Sequence, residues 1–274
     1  MDKFRIDNHK LVYHPERVAE LVSAGDDWSK QKDLRPIYAE ISTSGACNHR
    51  CTFCSVDYIG YKPIFINRST LNNFFISAEQ IGLKSVMFAG DGEPLLNPEI
   101  NEIIHDATTH SIDVSFTTNG VRLDSNFLDK SLSSVSWIKV SMNAGTADSY
   151  EKIHRTKASD FDLVWSNLDK AVRTRDSDLS RNRCALGVQS LILPDNLDTL
   201  DSLASRAMDT GLDYLVLKPY VHNVYMQQEG YRDIDYTVNE YSEVINKLKI
   251  FNCEYSALPY PLNVDMKNLE EIDK

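Results

Sequence analysis

Short runs rich in β-branched and aromatic residues alternate along the chain with longer amphipathic stretches. Six of these runs predict β-strands, at 37–41, 85–89, 113–117, 137–142, 185–191 and 214–218. The amphipathic stretches predict helices, at 70–80, 98–110, 125–131, 161–175, 197–210 and 238–248. Strands that alternate with helices over six units are typical of parallel βαβ crossovers. The pattern therefore predicts an α/β fold, either a barrel or an open doubly wound sheet.

Several predicted strands carry polar residues at alternate positions. In the fourth strand Lys139, Ser141 and Asn143 share one face, because successive side chains of a strand point to opposite sides. Glu40 in the first strand and Gln189 in the fifth repeat this alternation. In a small, fully packed barrel the inward positions would be Val, Ile and Leu. The polar face therefore predicts a lumen that holds a ligand.

The composition is that of a water-soluble globular protein of 274 residues, 42% hydrophobic and 25% charged. The formal net charge of −11 argues against sequence-independent binding of nucleic acid, which needs a basic surface. The sequence has no apolar run of the roughly 18 residues that span a membrane, and its polar first ten residues do not resemble a secretion signal. We therefore expect a cytoplasmic protein with three parts: a helical cap at 1–36, a barrel at 37–222, and a helix and tail at 223–274.

Three of the five cysteines, Cys47, Cys51 and Cys54, lie in the segment CNHRCTFC directly after the first predicted strand. Such clustering indicates a reduced metal or redox site rather than a disulfide framework. Thiolates favour iron–sulfur clusters or zinc. Three ligands for four irons leave one iron open, which a reactive cluster requires. Cys184 and Cys253 are isolated, and we interpret them as small buried hydrophobic residues.

Zinc is the alternative occupant of this loop, with His49 as a fourth ligand beside the three cysteines. However, His49 is only two residues from both Cys47 and Cys51, which is tighter than the usual spacing of zinc ligands. A third interpretation is a loop that is cysteine-rich by chance. The position of the loop at the carboxyl end of a strand, where barrel enzymes carry out their chemistry, favours the iron–sulfur cluster.

The spacing C-x3-C-x-aromatic-C, with Phe53 before the last cysteine, resembles the signature of the radical S-adenosylmethionine (radical SAM) superfamily. Other segments resemble motifs of that family, each following a predicted strand: AGDGEPLLNP at 89–98, TTNG at 117–120, KVSMNAGTADSYEKIHR at 139–155 and LKPY at 217–220. The resemblance implies a partial (β/α)6 TIM-like barrel. It also implies a [4Fe–4S] cluster whose open iron binds S-adenosylmethionine (SAM), which is reductively cleaved to methionine and a 5′-deoxyadenosyl radical.

The resemblance also implies roles for the loop that follows the second strand. Gly90, Asp91, Gly92 and Glu93 match the Gly-Gly-Glu motif of the family, with Asp91 in place of its first glycine. Gly92 would let backbone carbonyls approach SAM closely, and Glu93 would lie beside its amino group. Asn119, in the TTNG segment, is a further candidate for cofactor binding. The alternative for GDGEP is a plain Gly/Pro turn.

Five more residues are candidates for contact with SAM. Ser141 and Asn143 match family positions that bind the ribose hydroxyls. Arg155 could pair with the methionine carboxylate, because a guanidinium group suits a carboxylate, and Phe53 could pack against the adenine ring. Gln189 is a candidate contact to adenosine or to substrate. Each also has a simpler interpretation, as a solvated polar residue or as a packed side chain.

The substrate side is predicted from Lys139, Lys218, Tyr220 and His222, which would line or cap the lumen. The resemblance implies an enzyme that abstracts a hydrogen atom. The acidic composition and the polar lumen favour a small polar metabolite (a sugar, nucleoside or amino-acid derivative) or a peptide as its substrate. The resemblance also implies an electron donor of the flavodoxin or ferredoxin type. GEPLLN resembles the RNA-methylating branch as well, but the net charge of −11 argues against that branch.

Many relatives in this family carry a cysteine-rich auxiliary region after the barrel. Here only Cys253 occurs there, so either the enzyme needs no auxiliary cluster or 223–274 is a shortened auxiliary region. Two functions from other classes stay open at this point. One is a zinc-stabilised binding module, and the other is a catalytically degenerate barrel that acts as a partner protein.

Overall fold

The computed structural model of the protein describes residues 10–177 and 183–234, together with Val244 and Asn246. Within this part of the chain six strands form one sheet: β1 (Tyr38–Ser42), β2 (Ser85–Ala89), β3 (Asp113–Thr118), β4 (Val135–Ser141), β5 (Ala185–Ile192) and β6 (Tyr214–Pro219). The strands pair in chain order and all pairs are parallel. Since β1 and β6 are the two edges of the sheet, it is a partial barrel. The predicted α/β fold and partial barrel are confirmed.

The same described residues form eight α-helices: α1 (Pro15–Ala24), α2 (Trp28–Gln31), α3 (Arg68–Gln80), α4 (Ile100–Thr109), α5 (Ser125–Ser131), α6 (Ala147–His154), α7 (Ala158–Ser177) and α8 (Leu200–Thr210). Short 3-10 helices occur at Leu11–Tyr13, Asp57–Ile59, Pro94–Leu96, Leu132–Ser134 and Leu197–Thr199. The helix predicted at 238–248 and Cys253 lie outside the described residues, apart from Val244 and Asn246.

Side-chain caps set the starts of several helices. Asn67 accepts a hydrogen bond from Thr70 N at the start of α3, and Asp124 accepts one from Phe127 N at the start of α5. A capping oxygen satisfies a backbone N–H that has no partner within the helix. These caps place each helix directly after the loop that follows a strand, so the loops at the carboxyl ends of the strands are held at both sides.

The main core lies between the convex face of the sheet and the helices. Val86 and Phe88 of β2 are fully buried there, as are Ile103 and Ile104 of α4. Full burial of such a side chain contributes about 1.5–3 kcal/mol relative to exposure. This packing makes the sheet a rigid support for the loops at its carboxyl edge.

The concave face of the sheet is divided along the strand direction. Near the amino ends, Trp137, Ala185, Tyr214 and Val216 form a separate buried cluster. Nearer the carboxyl ends the side chains on this face are polar. Ser141 of β4, for example, is paired with Gln189 of β5. The predicted polar inner face therefore describes the upper part of the lumen. Apolar side chains close its lower part, because the bottom of a barrel is packed like a core.

The N-terminal helices contact the amino end of the barrel. Arg17 of α1 donates a hydrogen bond from Nη2 to the carbonyl oxygen of Ile81, just after α3. This contact is on the side opposite the cysteine loop. The boundaries of the three predicted parts stay predictions. Across the described residues, every helix is too short or too polar to span a lipid bilayer.

Candidate active site at the carboxyl ends of the strands

The cysteines lie on a long loop between β1 and α3 whose base is closed by backbone pairing. Gly45 N donates to Ile64 O (2.8 Å) and Ile66 N donates to Thr43 O (3.2 Å). The amide of Asn97, which is buried, donates to the carbonyl oxygens of Thr43 and Ile66, at 2.9 Å each. These hydrogen bonds therefore fix the two ends of the loop, on either side of the cysteines.

The end of α6 holds the middle of the cysteine loop. Arg50 N donates to His154 O (3.1 Å) and Thr52 N donates to Ile153 O (2.8 Å). The last carbonyls of a helix have no partner within it, so they are free to accept these bonds. Cys51 lies between the two donors and so meets the side chain of His154, whose Nδ1 is 3.3 Å from Cys51 Sγ.

The three thiol groups are close to one another. Burial raises the pKa of Cys51 well above its ordinary value, and the nearby Cys47 and Cys54 raise it further. Burial likewise raises the pKa of Cys47 to about 11, although the backbone N–H of His49 opposes this shift. Thiols such as Cys47 and Cys51, whose pKa is raised, are suited to a cationic metal centre, which stabilises thiolates.

The GDGE loop packs directly against the cysteine loop. A Cβ atom on Gly92 would lie 2.3 Å from the carbonyl oxygens of both Ser44 and Ala46, which no real side chain tolerates. Glu93 N donates to Ala46 O at 2.7 Å. Glycine is therefore required at 92 for the approach of the two loops.

Glu93 joins the GDGE loop to the TTNG segment. Its buried carboxylate accepts hydrogen bonds from Thr118 Oγ1 (2.6 Å), Asn119 N (2.7 Å) and Leu95 N (3.0 Å). Burial raises the pKa of Glu93 above its ordinary value, and these hydrogen bonds oppose that rise only in part. Asn119 continues the chain of contacts, since its amide donates to Asn48 Oδ1 at 2.7 Å in the cysteine loop. Three successive loops are thus connected to one another.

The side chains of His49, in the cysteine loop, and His154, at the end of α6, are both buried. Their rings are 5.2 Å apart, and the ring of Tyr150 stacks on His154 at 4.2 Å. Burial lowers the pKa of His49 to about 4 and that of His154 to about 3. Both imidazoles are therefore neutral at physiological pH.

A family model of the radical SAM superfamily matches residues 41–179, just over half of the chain. The chain belongs to the radical SAM superfamily. The cofactors of this superfamily are a [4Fe–4S] cluster and SAM, and the residues at the carboxyl ends of the strands fit both.

Curated relatives of this radical SAM protein carry the name GTP 3′,8-cyclase. The protein of Clostridium acetobutylicum is 25% identical over 213 residues, which are 76% of this chain and 64% of the relative. That of Chlorobaculum tepidum is 28% identical over 186 residues, which are 67% of this chain and 54% of the relative. The chain thus spans less than two thirds of the length of these relatives.

Solved radical SAM structures share the fold. Streptococcus suis SuiB bound to precursor peptide SuiA has a TM-score of 0.64 at 14% identity, covering 89% of this chain and 52% of SuiB. The protein anSMEcpe with bound AdoMet has a TM-score of 0.56 at 17% identity, covering 79% of this chain and 60% of the other. At such low identity the similarity supports the partial barrel alone.

The donor set fits the cluster. Cys47, Cys51 and Cys54 are half-buried free thiols on one short loop, and soft thiolates are the ligands that iron–sulfur clusters take. The zinc alternative, with His49 beside all three cysteines, is not the grouping found among the described residues, where the ligand atom of His49 lies with those of Cys51 and His154. The thiol groups therefore favour a three-cysteine cluster site.

The predicted SAM contacts lie in different surroundings. Ser141 and Gln189 lie opposite each other on the concave face, and the buried Gln189 Oε1 has no hydrogen-bond partner among the described residues. Asn143 is buried in a left-handed conformation (φ 50°), and its Oδ1 accepts a bond from Leu191 N at 2.7 Å. Arg155 is exposed just beyond α6, also at positive φ. Phe53 packs edge-on against His154, with ring centres 5.7 Å apart.

In the GDGE loop, Gly90 is exposed at φ 111°, and Asp91 N donates to Ser42 Oγ at 3.2 Å. This hydrogen bond orders the loop through its backbone. A role in binding SAM stays a prediction for all of the predicted cofactor-binding residues: Phe53, Gly90, Asp91, Gly92, Glu93, Asn119, Ser141, Asn143, Arg155 and Gln189.

The predicted substrate residues lie in two different places. Lys139 and Lys218 are half-buried, on the concave face. Burial lowers the pKa of Lys218, and the nearby Glu40 raises it. Tyr220 is buried instead in a cluster where its hydroxyl donates to Met226 Sδ (3.0 Å) and lies 3.2 Å from His222 Nδ1. The lysines thus line the lumen, whereas Tyr220 supports the chain beside the cysteine loop.

Several residues that order the site are not evident from the sequence. Thr118 and Asn48 connect the loops through Glu93 and Asn119, and His154 contacts Cys51. Tyr61 forms a hydrogen bond with the Cys54 side chain, and burial raises the Tyr61 pKa. Their positions inside or beside the motifs were a signal, but the pairing of each depends on contacts between distant parts of the chain.

Proposed function

We propose that this chain is a radical SAM enzyme whose cluster is held by Cys47, Cys51 and Cys54 and whose substrate is a small nucleotide. The observation that carries the first part is the connection of the cysteine, GDGE and TTNG loops at the carboxyl edge of the sheet. Bound there, the cluster supplies the electron that cleaves SAM and so generates the radical that abstracts hydrogen from substrate. An external donor of the flavodoxin or ferredoxin type would deliver that electron.

The chain's own residues would position SAM and keep water away. Glu93 uses three bonds to hold its carboxylate still, which leaves acceptor capacity for an ammonium group because two carboxylate oxygens can accept about four bonds. Gln189 Oε1, buried and without a partner among the described residues, is an acceptor for an amino or hydroxyl group. The carboxylate of Glu93 is therefore preorganised for binding.

The segment 220–234 shields the outer side of the cysteine loop. Asp57 accepts hydrogen bonds from Gln227 N and Gln228 N, at 2.9 and 3.1 Å. Tyr231 lies 3.0 Å from Thr52 Oγ1 and donates to Asp195 Oδ2 at 2.6 Å. Exclusion of water protects a reactive intermediate from side reactions.

The proposed nucleotide class is supported by charge and by the relatives. Lys139 and Lys218 place two ammonium groups on the concave face of a chain whose net charge is −11, and phosphate groups pair with such cations. The curated relatives named GTP 3′,8-cyclase carry a nucleotide in their name. A peptide substrate, as in the name of the SuiB complex, is the competing class.

Anaerobic reconstitution tests the cluster and its chemistry. We expect about four irons per chain, an absorption band at about 400 nm, and formation of 5′-deoxyadenosine from SAM after reduction with dithionite. Cys51→Ala should abolish both iron loading and SAM cleavage, whereas Cys184→Ala, remote from the loop, should keep both. A protein that stays colourless and takes up no iron when it is reconstituted without zinc, or a loaded protein that never cleaves SAM, would contradict the proposal and support the binding-module or the degenerate alternative.

Equilibrium binding tests the substrate class. We expect the cluster-loaded protein to bind GTP more tightly than guanosine, and the double variant Lys139→Met/Lys218→Met to lose that preference. With GTP deuterated on the ribose, deuterium should appear in 5′-deoxyadenosine. Equal affinity for guanosine and GTP, or no deuterium transfer, would argue against a nucleotide substrate.

A further inference from the structure

Three side chains of types that bind metals lie together where the cysteine loop contacts the end of α6: His49, Cys51 and His154. One ligand atom of each lies within 4.8 Å of the other two, and His154 Nδ1 is 3.3 Å from Cys51 Sγ. Ligands around a tetrahedral zinc ion, with bonds of about 2.0–2.3 Å, are separated by distances of this order. The three donors can therefore reach one ion with small adjustments.

His154 is oriented as a metal ligand. Its Nε2 lies 2.7 Å from the carbonyl oxygen of Met142 and donates to it, so the lone pair of the neutral ring is on Nδ1 and faces Cys51. Metal-binding histidines usually donate their other ring N–H to a carbonyl or carboxylate in this way. The stacked ring of Tyr150 keeps the imidazole plane fixed.

His49 supplies an independent indication of a ligand. Its side chain is fully buried, and neither ring nitrogen has a hydrogen-bond partner among the described residues. Asp160 Oδ2 is 3.8 Å from Nε2, too far for a hydrogen bond. A buried polar group without a partner costs about 1–3 kcal/mol, and coordination of an ion would remove that cost.

We propose that His49, Cys51 and His154 bind one zinc ion in the cluster-free chain. Two imidazole nitrogens and a thiolate suit zinc, and three protein donors leave a fourth position for water. Cys51 would belong to both sites, so the zinc ion and the iron–sulfur cluster exclude each other. The exclusion rests on the proposed cluster site, whereas the zinc site does not.

The test uses the full chain, purified anaerobically without its cluster and titrated with Co²⁺ as a spectroscopic substitute for zinc. We expect one tetrahedral Co²⁺ per chain with the charge-transfer band of a single thiolate. Cys47→Ser/Cys54→Ser keeps all three proposed donors and should bind Co²⁺ as the unmodified chain does. His49→Leu should bind at least about tenfold more weakly, since loss of even an outer-shell partner costs 10–100-fold. His105→Leu, on the exposed face of α4, is the matched control and should change nothing.

Leucine at 49 removes an imidazole that makes no hydrogen bond, so we expect this variant to fold, as circular dichroism would show. If it does not fold, the double cysteine variant still decides the question. Loss of Co²⁺ binding in Cys47→Ser/Cys54→Ser would place the ion on the three cysteines and overturn the proposal. Absence of Co²⁺ binding in the unmodified chain, or full binding in folded His49→Leu, would overturn it as well.

Iron loading tests the exclusion separately. One equivalent of Zn²⁺ added before reconstitution should reduce the iron content of the unmodified chain, and His49→Leu should resist this effect. An equal reduction in both proteins would overturn the exclusion. A chain that takes up no iron even without zinc would count against the proposed cluster function and leave the cobalt result to judge the zinc site.

Discussion

Glu93 shows how much of the site depends on a single side chain. Its carboxylate accepts bonds from Thr118, Asn119 and Leu95. In Glu93→Gln an amide N–H would face one of these donors, which leaves a buried group without a partner. We expect the free energy of unfolding of the cluster-free chain to fall by about 1–3 kcal/mol in urea denaturation.

The control for this variant is Glu151→Gln, at an exposed position of α6, which should unfold at the same urea concentration as the unmodified chain. If Glu93→Gln were as stable as Glu151→Gln, the hydrogen bonds of Glu93 would not stabilise the connected loops.

At the residue scale, the sequence is enough to recognise the cysteine loop, because the spacing of Cys47, Cys51 and Cys54 is local; their role as cluster ligands stays a prediction. Glu93 and Gly92 are also found from their motif. The contacts of Asn143 and Tyr220 were not predictable, because each pairs with a residue whose position depends on the folded sheet or on the segment after it. A polar residue at a strand end can equally bind a ligand or close a loop, and only the three-dimensional structure distinguishes these roles.

At the element scale, the close approach of the GDGE and cysteine loops leads to a prediction for Gly92→Ala. The added Cβ would lie 2.3 Å from two backbone carbonyl oxygens, so the loops must separate. We expect a loss of about 1–3 kcal/mol in unfolding free energy, the usual cost of overpacking, and weaker SAM binding in equilibrium dialysis. Gly230→Ala is the matched control, because nothing lies within 4 Å of a Cβ at that position. Unchanged SAM affinity in Gly92→Ala would show that the loop spacing does not matter.

The ion pair between α3 and α4 makes a pH-dependent prediction. Arg68 donates to both carboxylate oxygens of Asp106, at 2.6 and 2.7 Å, and these hydrogen bonds lower the pKa of Asp106. A carboxylate whose pKa is lower in the folded chain stabilises it above the unfolded pKa of about 3.9, and this contribution is lost as the pH falls through the folded value.

Asp106→Asn should therefore unfold at lower urea than the unmodified chain near neutral pH, and the difference should disappear as the pH is lowered below the folded pKa. Asp209→Asn, exposed on α8, should show no such difference at any pH. A gap between Asp106→Asn and the unmodified chain that stays constant down to acid pH would mean that the carboxylate charge is not responsible.

The boundaries of the elements show which physical signals are local. The strand at Ser85–Ala89 and the helix at Ser125–Ser131 coincide with their predicted bounds. The helix predicted at 70–80 begins instead at Arg68, since the cap at Asn67 starts the helix before its first apolar residue. Hydrophobic periodicity places the middle of an element, whereas caps and contacts with other elements decide its ends.

At the scale of the whole molecule, the open sheet leaves a lumen that is closed below by Trp137 and Tyr214 and bordered above by the connected loops. The parallel order of the strands could be predicted from the alternation of strands and helices. The path of the chain after β6 could not, because the segment 220–234 has no periodicity and is held by hydrogen bonds to Asp57, Thr52 and Asp195, which are distant in sequence. Those contacts decide how well the cysteine loop is shielded.

Tyr231→Phe tests this shielding. The substitution keeps the ring in its cluster with Tyr220 and Met226 but removes the hydroxyl that bonds Asp195 and lies against Thr52. We expect a loss of about 1 kcal/mol that is confined to this segment, so hydrogen–deuterium exchange should quicken in peptides covering 220–234 and stay unchanged in β2 and β3. Tyr225→Phe, at a 70% exposed position, should alter neither. Unchanged exchange in 220–234 of Tyr231→Phe would mean that ring packing alone keeps the segment over the cysteine loop, whereas faster exchange together with faster oxygen damage to the loaded cluster would establish the hydroxyl as the link between the two.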